Sequence, residues 1–260
     1  MTAFVAVVSG VYGLVIGSFL NVVIWRVPRQ ESIVRPASHC PGCDSPIAVK
    51  DNIPLFSWAL LRGRCRNCGT TISWRYPFIE LLTGVLFAAV GARFAHSWAL
   101  PAYLVLTAGL IALSAIDLET FLLPNRIVYP LGYLGAALLV LASGLEDDWG
   151  AMGRALAGAA IAFMFFFVVH LISPRGMGFG DVRLSFILGL FLAWLGWGEL
   201  AGGLFAGFLY GAVVGVAVMA TVGLRGRKYQ IPFGPFLAAG TMTFVLFGTQ
   251  IVDWYHGLGR

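Results

Sequence analysis

Eight apolar runs, each near the ~20 residues a helix needs to cross the hydrocarbon core of a bilayer, occupy most of this 260-residue chain. They fall roughly at 3–25, 77–95, 98–116, 127–144, 152–172, 182–196, 200–222 and 232–252. The sixth is the shortest, and Gly189, Gly196 and Gly198 interrupt it. With 59% hydrophobic and 11% charged residues, the chain is too apolar for an ordinary soluble domain. Its 33 glycines suit helices that approach one another closely in a membrane. The expected fold is an all-α polytopic membrane protein. It comprises a first transmembrane helix over 1–25, a soluble four-cysteine domain over 26–76 and a transmembrane domain over 77–260. The first run does not resemble a cleavable signal peptide, because its basic residues, Arg26 and Arg29, follow it rather than precede it.

Charge sets the topology. Arg26, Arg29, Arg35, Lys50, Arg62, Arg64, Arg66 and Arg75 lie between runs one and two. Arg126, Arg175, Arg183, Arg225, Arg227 and Lys228 lie near the other odd-to-even connections, which leaves only Arg93, Arg154 and Arg260 of the 17 Lys and Arg on the opposite side. The positive-inside rule then places the N-terminus outside and segment 26–76 in the cytoplasm. The net charge of +5 is accounted for by topology beside anionic lipid and implies no nucleic-acid partner.

All four cysteines fall in that segment, as Cys40-Pro-Gly-Cys43 and, after twenty-one intervening residues, Cys65-Arg-Asn-Cys68. Two C-x-x-C pairs offer four sulfurs at the bite of a tetrahedral site, and a segment of about fifty residues has little core of its own, so a structural zinc would supply folding energy. A disulfide pair or a redox C-x-x-C is the alternative. Stable disulfides are rare in the cytoplasm, and no thioredoxin-like pattern surrounds either pair. His39 reads as a neighbour rather than a fifth ligand.

Two acids, Asp117 and Asp181, stand at the edges of apolar runs. Asp117 ends the third and Asp181 begins the sixth, so two crossings intervene and both acids return to one side, the cytoplasmic one. An ionisable group at membrane depth is costly and reads as functional by default. Two carboxylates brought together could share one proton, one acting as base toward water while the other polarises a scissile carbonyl. Pro124 would stop the helix bearing Asp117. Gly178 and Gly180 would let the loop carrying Asp181 come close to a partner or a peptide. Glu119 points to another helix face and would at most modulate the site. A plain structural role stays open: each aspartate could cap a helix or pair with Arg126, Arg175 or Arg183. His170 reads as a satisfied polar residue, and Trp194, Trp197, Trp254 and Tyr255 as an interfacial aromatic belt.

The chain resembles the type IV prepilin peptidases, also called prepilin leader peptidase/N-methyltransferases. The resemblance rests on Gly17-Ser-Phe-Leu-Asn-Val-Val23, the four-cysteine segment with Asn52-Ile-Pro54 and Arg62-Gly-Arg-Cys65, and Arg75-Tyr-Pro77 leading to Glu80. It continues through Asp117 with Leu123-Pro124, Gly178-Phe-Gly-Asp181, and Pro232-Phe-Gly-Pro-Phe236. It implies a membrane aspartic endopeptidase of the Gly-x-Gly-Asp type, with Asp117 and Asp181 catalytic, in the bacterial inner membrane. Such enzymes cut the basic leader from type IV prepilins or pseudopilins after a glycine, at the cytoplasmic face. Relatives also methylate the new N-terminal residue, usually Phe, with S-adenosylmethionine, an activity associated with the cysteine segment. This chain has Glu119 where many relatives have a second aspartate, Asn125 where many have Asp, and Ser73-Trp74 before Arg75. No binding motif for the methyl donor is legible. From another class, a proton- or cation-coupled transporter with a zinc-stabilised regulatory loop would also keep acids in a membrane, but no inverted repeat or mid-span acid supports it. A presenilin-like protease would share Gly-x-Gly-Asp without accounting for the cysteines.

Overall fold

A computed structural model describes residues 1–174, 176–222 and 231–258; Arg175, Arg225, Arg227, Lys228 and Arg260, which bear on topology, lie outside the described residues. The chain forms two compact units, Met1–His96 and Ser97–Arg260.

The first unit pairs α1 (Thr2–Arg26) with α3 (Arg75–Arg93), and the cysteine segment, with the short α2 (Phe56–Leu60), connects them. Glycines bring the two long helices together backbone to backbone. A Cβ at Gly17 would stand 2.7 Å from Glu80 Cα, and one at Gly13 would stand 2.8 Å from the Thr83 carbonyl oxygen. Close approach of this kind substitutes van der Waals contact for the hydrophobic drive that lipid removes. Polar groups in the seam find backbone partners for some of their atoms. Asn21 Nδ2 donates to the Tyr76 carbonyl at 3.1 Å, and buried Glu80 accepts from Leu55 N–H at 2.8 Å.

The second unit contains α4 (Leu100–Thr120), α5 (Asn125–Leu145), α6 (Trp149–Ile172), α7 (Phe179–Leu195), α8 (Trp197–Val222) and α9 (Gly234–Leu258). Pairs α6/α7 and α8/α9 pack most extensively, and α4 rests on α5 and α9. Glycine again sets the spacing: a Cβ at Gly240 of α9 would lie 2.4 Å from the Gly207 backbone nitrogen of α8. Asp148 caps α6, accepting from Ala151 N–H at 2.8 Å.

Among the described residues seven helices are long and apolar enough to cross a membrane, one fewer than the eight runs. The missing one is α7. At 17 residues it spans about 25 Å at ~1.5 Å per residue, short of the ~30 Å core. Twelve of its residues are buried in the unit, so protein rather than lipid surrounds most of it. Two other expectations shift. Helix α4 runs past Asp117 to Thr120 before Phe121 ends it in the left-handed region at φ 55°. Trp194 belongs to the core rather than a surface belt, since its indole N–H donates to Ser143 Oγ at 2.9 Å and its ring meets Tyr103 edge-on. Trp197, Trp254 and Tyr255 are exposed, as a belt requires.

Replacing Gly240 with valine should force α8 and α9 apart. We expect unfolding in a detergent titration to be easier by about 1–3 kcal/mol, the cost of overpacking a tight seam, whereas Gly153→Ala, where a Cβ meets nothing within 4 Å, should leave the midpoint in place.

Candidate functional site

Three helix ends in the second unit converge on two acids. Asp117 is buried one turn from the end of α4, with 5% of its surface exposed, and Asp181 is buried in the first turn of α7, with 8% exposed. The Asp117 charge lies near enough to act on Asp181 through space. The chain between α4 and α5 closes the gap. A Cβ at Gly180 would sit 3.1 Å from Leu123 Cβ, and a Cβ at Gly234 would sit 3.4 Å from Leu123 Cδ2. Leu123 is thus packed against the residue preceding Asp181 and against the residue that holds Asp117.

That residue is Gly234, the first of α9. Its N–H donates to Asp117 Oδ2 at 3.1 Å. The first N–H groups of a helix have no partner within the helix and carry the positive end of its dipole, so they suit a carboxylate. A side chain there is excluded, because a Cβ would lie 2.8 Å from the same oxygen. Asp181 sits three residues into α7 from the capping Gly178 and turns its carboxyl back toward the Gly178 backbone. Its Oδ1 is buried and makes no hydrogen bond. A buried carboxylate oxygen with no protein donor calls for an explanation beyond packing.

Of the structural roles left open by the sequence, Asp117 does meet a helix start, accepting from the first N–H of α9. The cap of α7 is Gly178, and among the described residues neither aspartate forms an ion pair with an arginine. Arg183 instead donates to Asn125 Oδ1, joining the first turns of α5 and α7, and its guanidinium lies 4.7 Å from the Phe179 ring. The His170 Nδ1–H donates to Met177 O at 2.8 Å, just before the Gly178 loop. Pro124 caps α5, and its carbonyl accepts from Val128 N–H at 3.1 Å. Glu119 is exposed on α4 while Asp117, two residues earlier, is buried. Residue type and spacing do not single out Gly234 as a site residue. Its one signal is the Pro232-Phe-Gly-Pro-Phe236 motif, a glycine between prolines at a helix start.

The first unit contains a separate cluster. The two cysteine knuckles fold alike. Cys40 N–H donates to Ser45 O and Asp44 N–H to Cys40 O; Cys65 N–H donates to Thr70 O and Gly69 N–H to Cys65 O. The fifth residue of each knuckle, Asp44 or Gly69, takes positive φ, at 52° and 73°. These turns leave all four sulfurs within 4.8 Å of one another, with Cys40 Sγ and Cys68 Sγ 3.7 Å apart. Four thiolates about 2.3 Å from a tetrahedral ion would stand about 3.8 Å apart, so the cluster fits a metal. The Thr70 hydroxyl and N–H pull the Cys68 thiol down to about 6. The backbone N–H groups of Cys68 and Asn67 lower Cys65. Gly42 N–H acts on Cys40 in the same direction, but burial and the other three sulfurs outweigh it and hold that thiol at about 11. A cation at the centre would relieve this mutual repulsion. His39 is outside the cluster, its Nδ1 3.1 Å from the Ala37 carbonyl oxygen.

A multi-pass helical membrane protein with two buried aspartates brought together at its helix ends is the class this fold defines. Residues 104–220 match the type IV leader peptidase family and residues 11–94 match the bacterial peptidase A24 N-terminal domain. Three similar proteins, each named prepilin leader peptidase/N-methyltransferase, come from Aeromonas hydrophila, Stutzerimonas stutzeri and Bacillus subtilis (strain 168). They are 38%, 40% and 37% identical over 94%, 96% and 94% of this chain and 91%, 93% and 95% of their own. This chain therefore belongs to the type IV leader peptidase family. No solved structure matches it with significance.

Gly234→Ala should displace Asp117 while leaving α9 intact. Because a misplacement of about 1 Å can cost ~100-fold in rate, cleavage of a prepilin precursor is expected to fall about 10²-fold at unchanged protein level, measured by a precursor-processing time course.

Proposed function

We propose that the chain is a prepilin leader peptidase that cleaves precursors of type IV pilins or pseudopilins at the cytoplasmic face of the bacterial inner membrane, and that it N-methylates the product. The observation that carries the first activity is the pair Asp117 and Asp181, both buried and electrostatically in reach of one another. Facing carboxylates cannot both ionise cheaply, so the pair holds one proton. The Gly234 N–H favours negative charge on Asp117, which we assign as the base that takes a proton from water. Asp181, whose Oδ1 has no donor, carries the shared proton and polarises the scissile carbonyl. Collapse of the tetrahedral intermediate sends a proton to the leaving amine, and the new N-terminus remains with the apolar pilin segment. The glycine-rich entry to α7, held by His170 through Met177, leaves backbone room for an extended peptide beside Asp181.

The basic residues flanking the spans support the cytoplasmic placement of both acids. The four cysteines are proposed to hold a structural zinc: a full set of four sulfurs leaves no open position for chemistry, and the segment has few buried apolar groups to fold it otherwise. The methylating activity is supported by the name its relatives share. S-adenosylmethionine would give its methyl to the new terminal amine, leaving S-adenosylhomocysteine and a proton.

Asp117→Asn and Asp181→Asn are each expected to abolish cleavage of a co-expressed precursor at normal protein level; near-normal processing by either would refute the dyad. Purified protein should contain one zinc, and Cys65→Ser should lose it, as read by elemental analysis. Mass spectrometry of the processed substrate should find the new N-terminus one methyl heavier.

A further inference from the structure

The two acids belong to the second unit, and the first contains a cavity of about 630 Å³, bounded by α1 and by the segments around residues 33–38 and 49–54. Small-molecule sites run from about 300 to 1,000 Å³ and combine apolar walls with a few fixed polar groups. Here Phe19, Val22, Ile53 and Pro54 supply apolar wall, Asn52 a polar amide, and Arg26 a cation.

Arg26 is the unusual member. Only 7% of it is exposed, yet among the described residues no carboxylate pairs with it. Its Nη1 donates to the carbonyls of Ser32 at 3.0 Å and Pro36 at 2.9 Å, which fixes the guanidinium and commits two of its five N–H groups. Arginine is rarely buried without an anionic partner, and a planar guanidinium with an uncommitted edge is built to take a carboxylate.

We propose that this cavity is the S-adenosylmethionine site, with the carboxylate of the donor's amino-acid end on Arg26 and its adenine against the apolar wall. The proposal rests on the methyltransferase reading above. It assigns cleavage to the unit that contains the aspartates and donor binding to the unit that contains the cysteines.

The full chain in nanodiscs of zwitterionic lipid can be tested by equilibrium binding of S-adenosylhomocysteine and of 5′-methylthioadenosine, which lacks the amino-acid carboxylate. Wild type should bind the first about tenfold or more tightly than the other, the range expected for hydrogen bonds to a charged group. Arg26→Gln should abolish that preference. Val22→Trp, which leaves the Arg26 bonds alone and fills the cavity, should weaken both ligands about tenfold, and both variants should still cleave precursor. Equal binding of the two ligands by wild type, or unchanged binding in both variants, would overturn the proposal. So would loss of binding on exchange into phosphatidylglycerol nanodiscs, which would assign Arg26 to a lipid phosphate. If wild-type product is nonetheless methylated, the methyltransferase reading survives and the donor binds elsewhere; unmethylated product would end both.

Discussion

A carboxylate in an apolar helical bundle must be answered by a donor, and much of the second unit's architecture answers one. Asp117 is met by the first N–H of α9. That contact requires the start of α9 to reach the end of α4, which requires position 234 to have no side chain. Leu123 then fills the space between Gly234 and Gly180, so the turn after α4 also sets where α7 begins. One hydrogen bond therefore links the placement of three helix ends. Asp181 is the opposite case, a buried carboxyl left partly unanswered. The two identical side chains thus stand in different surroundings, one oxygen of Asp117 meeting the Gly234 N–H and one oxygen of Asp181 left without a donor.

The first unit solves a different problem. Its long helices need only glycine to meet, but the segment between them has too little apolar surface to fold by burial. It relies on repeated turn geometry and polar locks. The knuckles are built the same way twice, Arg66 grips Asp51 through two hydrogen bonds of 2.8 and 2.6 Å, and Trp58 and Trp74 pack 4.2 Å apart. The ion pair is surface-exposed and stabilises little alone. A tetrathiolate centre would join the two knuckles more strongly than any of these contacts.

The sequence disclosed what depends on residue type and spacing. Apolar length found the long helices, the two C-x-x-C pairs found the sulfur cluster, and the cost of burying charge drew attention to Asp117 and Asp181. It failed where tertiary packing decides. The 17 residues of α7 are apolar, but their length does not reveal that neighbours enclose them. Trp194 has the composition of a belt residue and the hydrogen bond of a core residue. Gly234 and Arg26 were hidden for a related reason. Gly234 acts through its backbone N–H, which every non-proline residue has. Arg26 is indistinguishable by type from the other basic residues that set topology, and only its burial sets it apart.

The enclosure of α7 also bears on how this protein can vary. On the outer side of α1, where Phe4, Val7 and Val11 are exposed, one aliphatic side chain can replace another and merely exchange its lipid neighbours. From Ile187 to Trp194 every residue of α7 is buried, so the same exchange would open a void or a clash against a neighbouring helix. The helix that carries Asp181 is thus held to a narrow choice of shapes along its length, even far from any reacting atom.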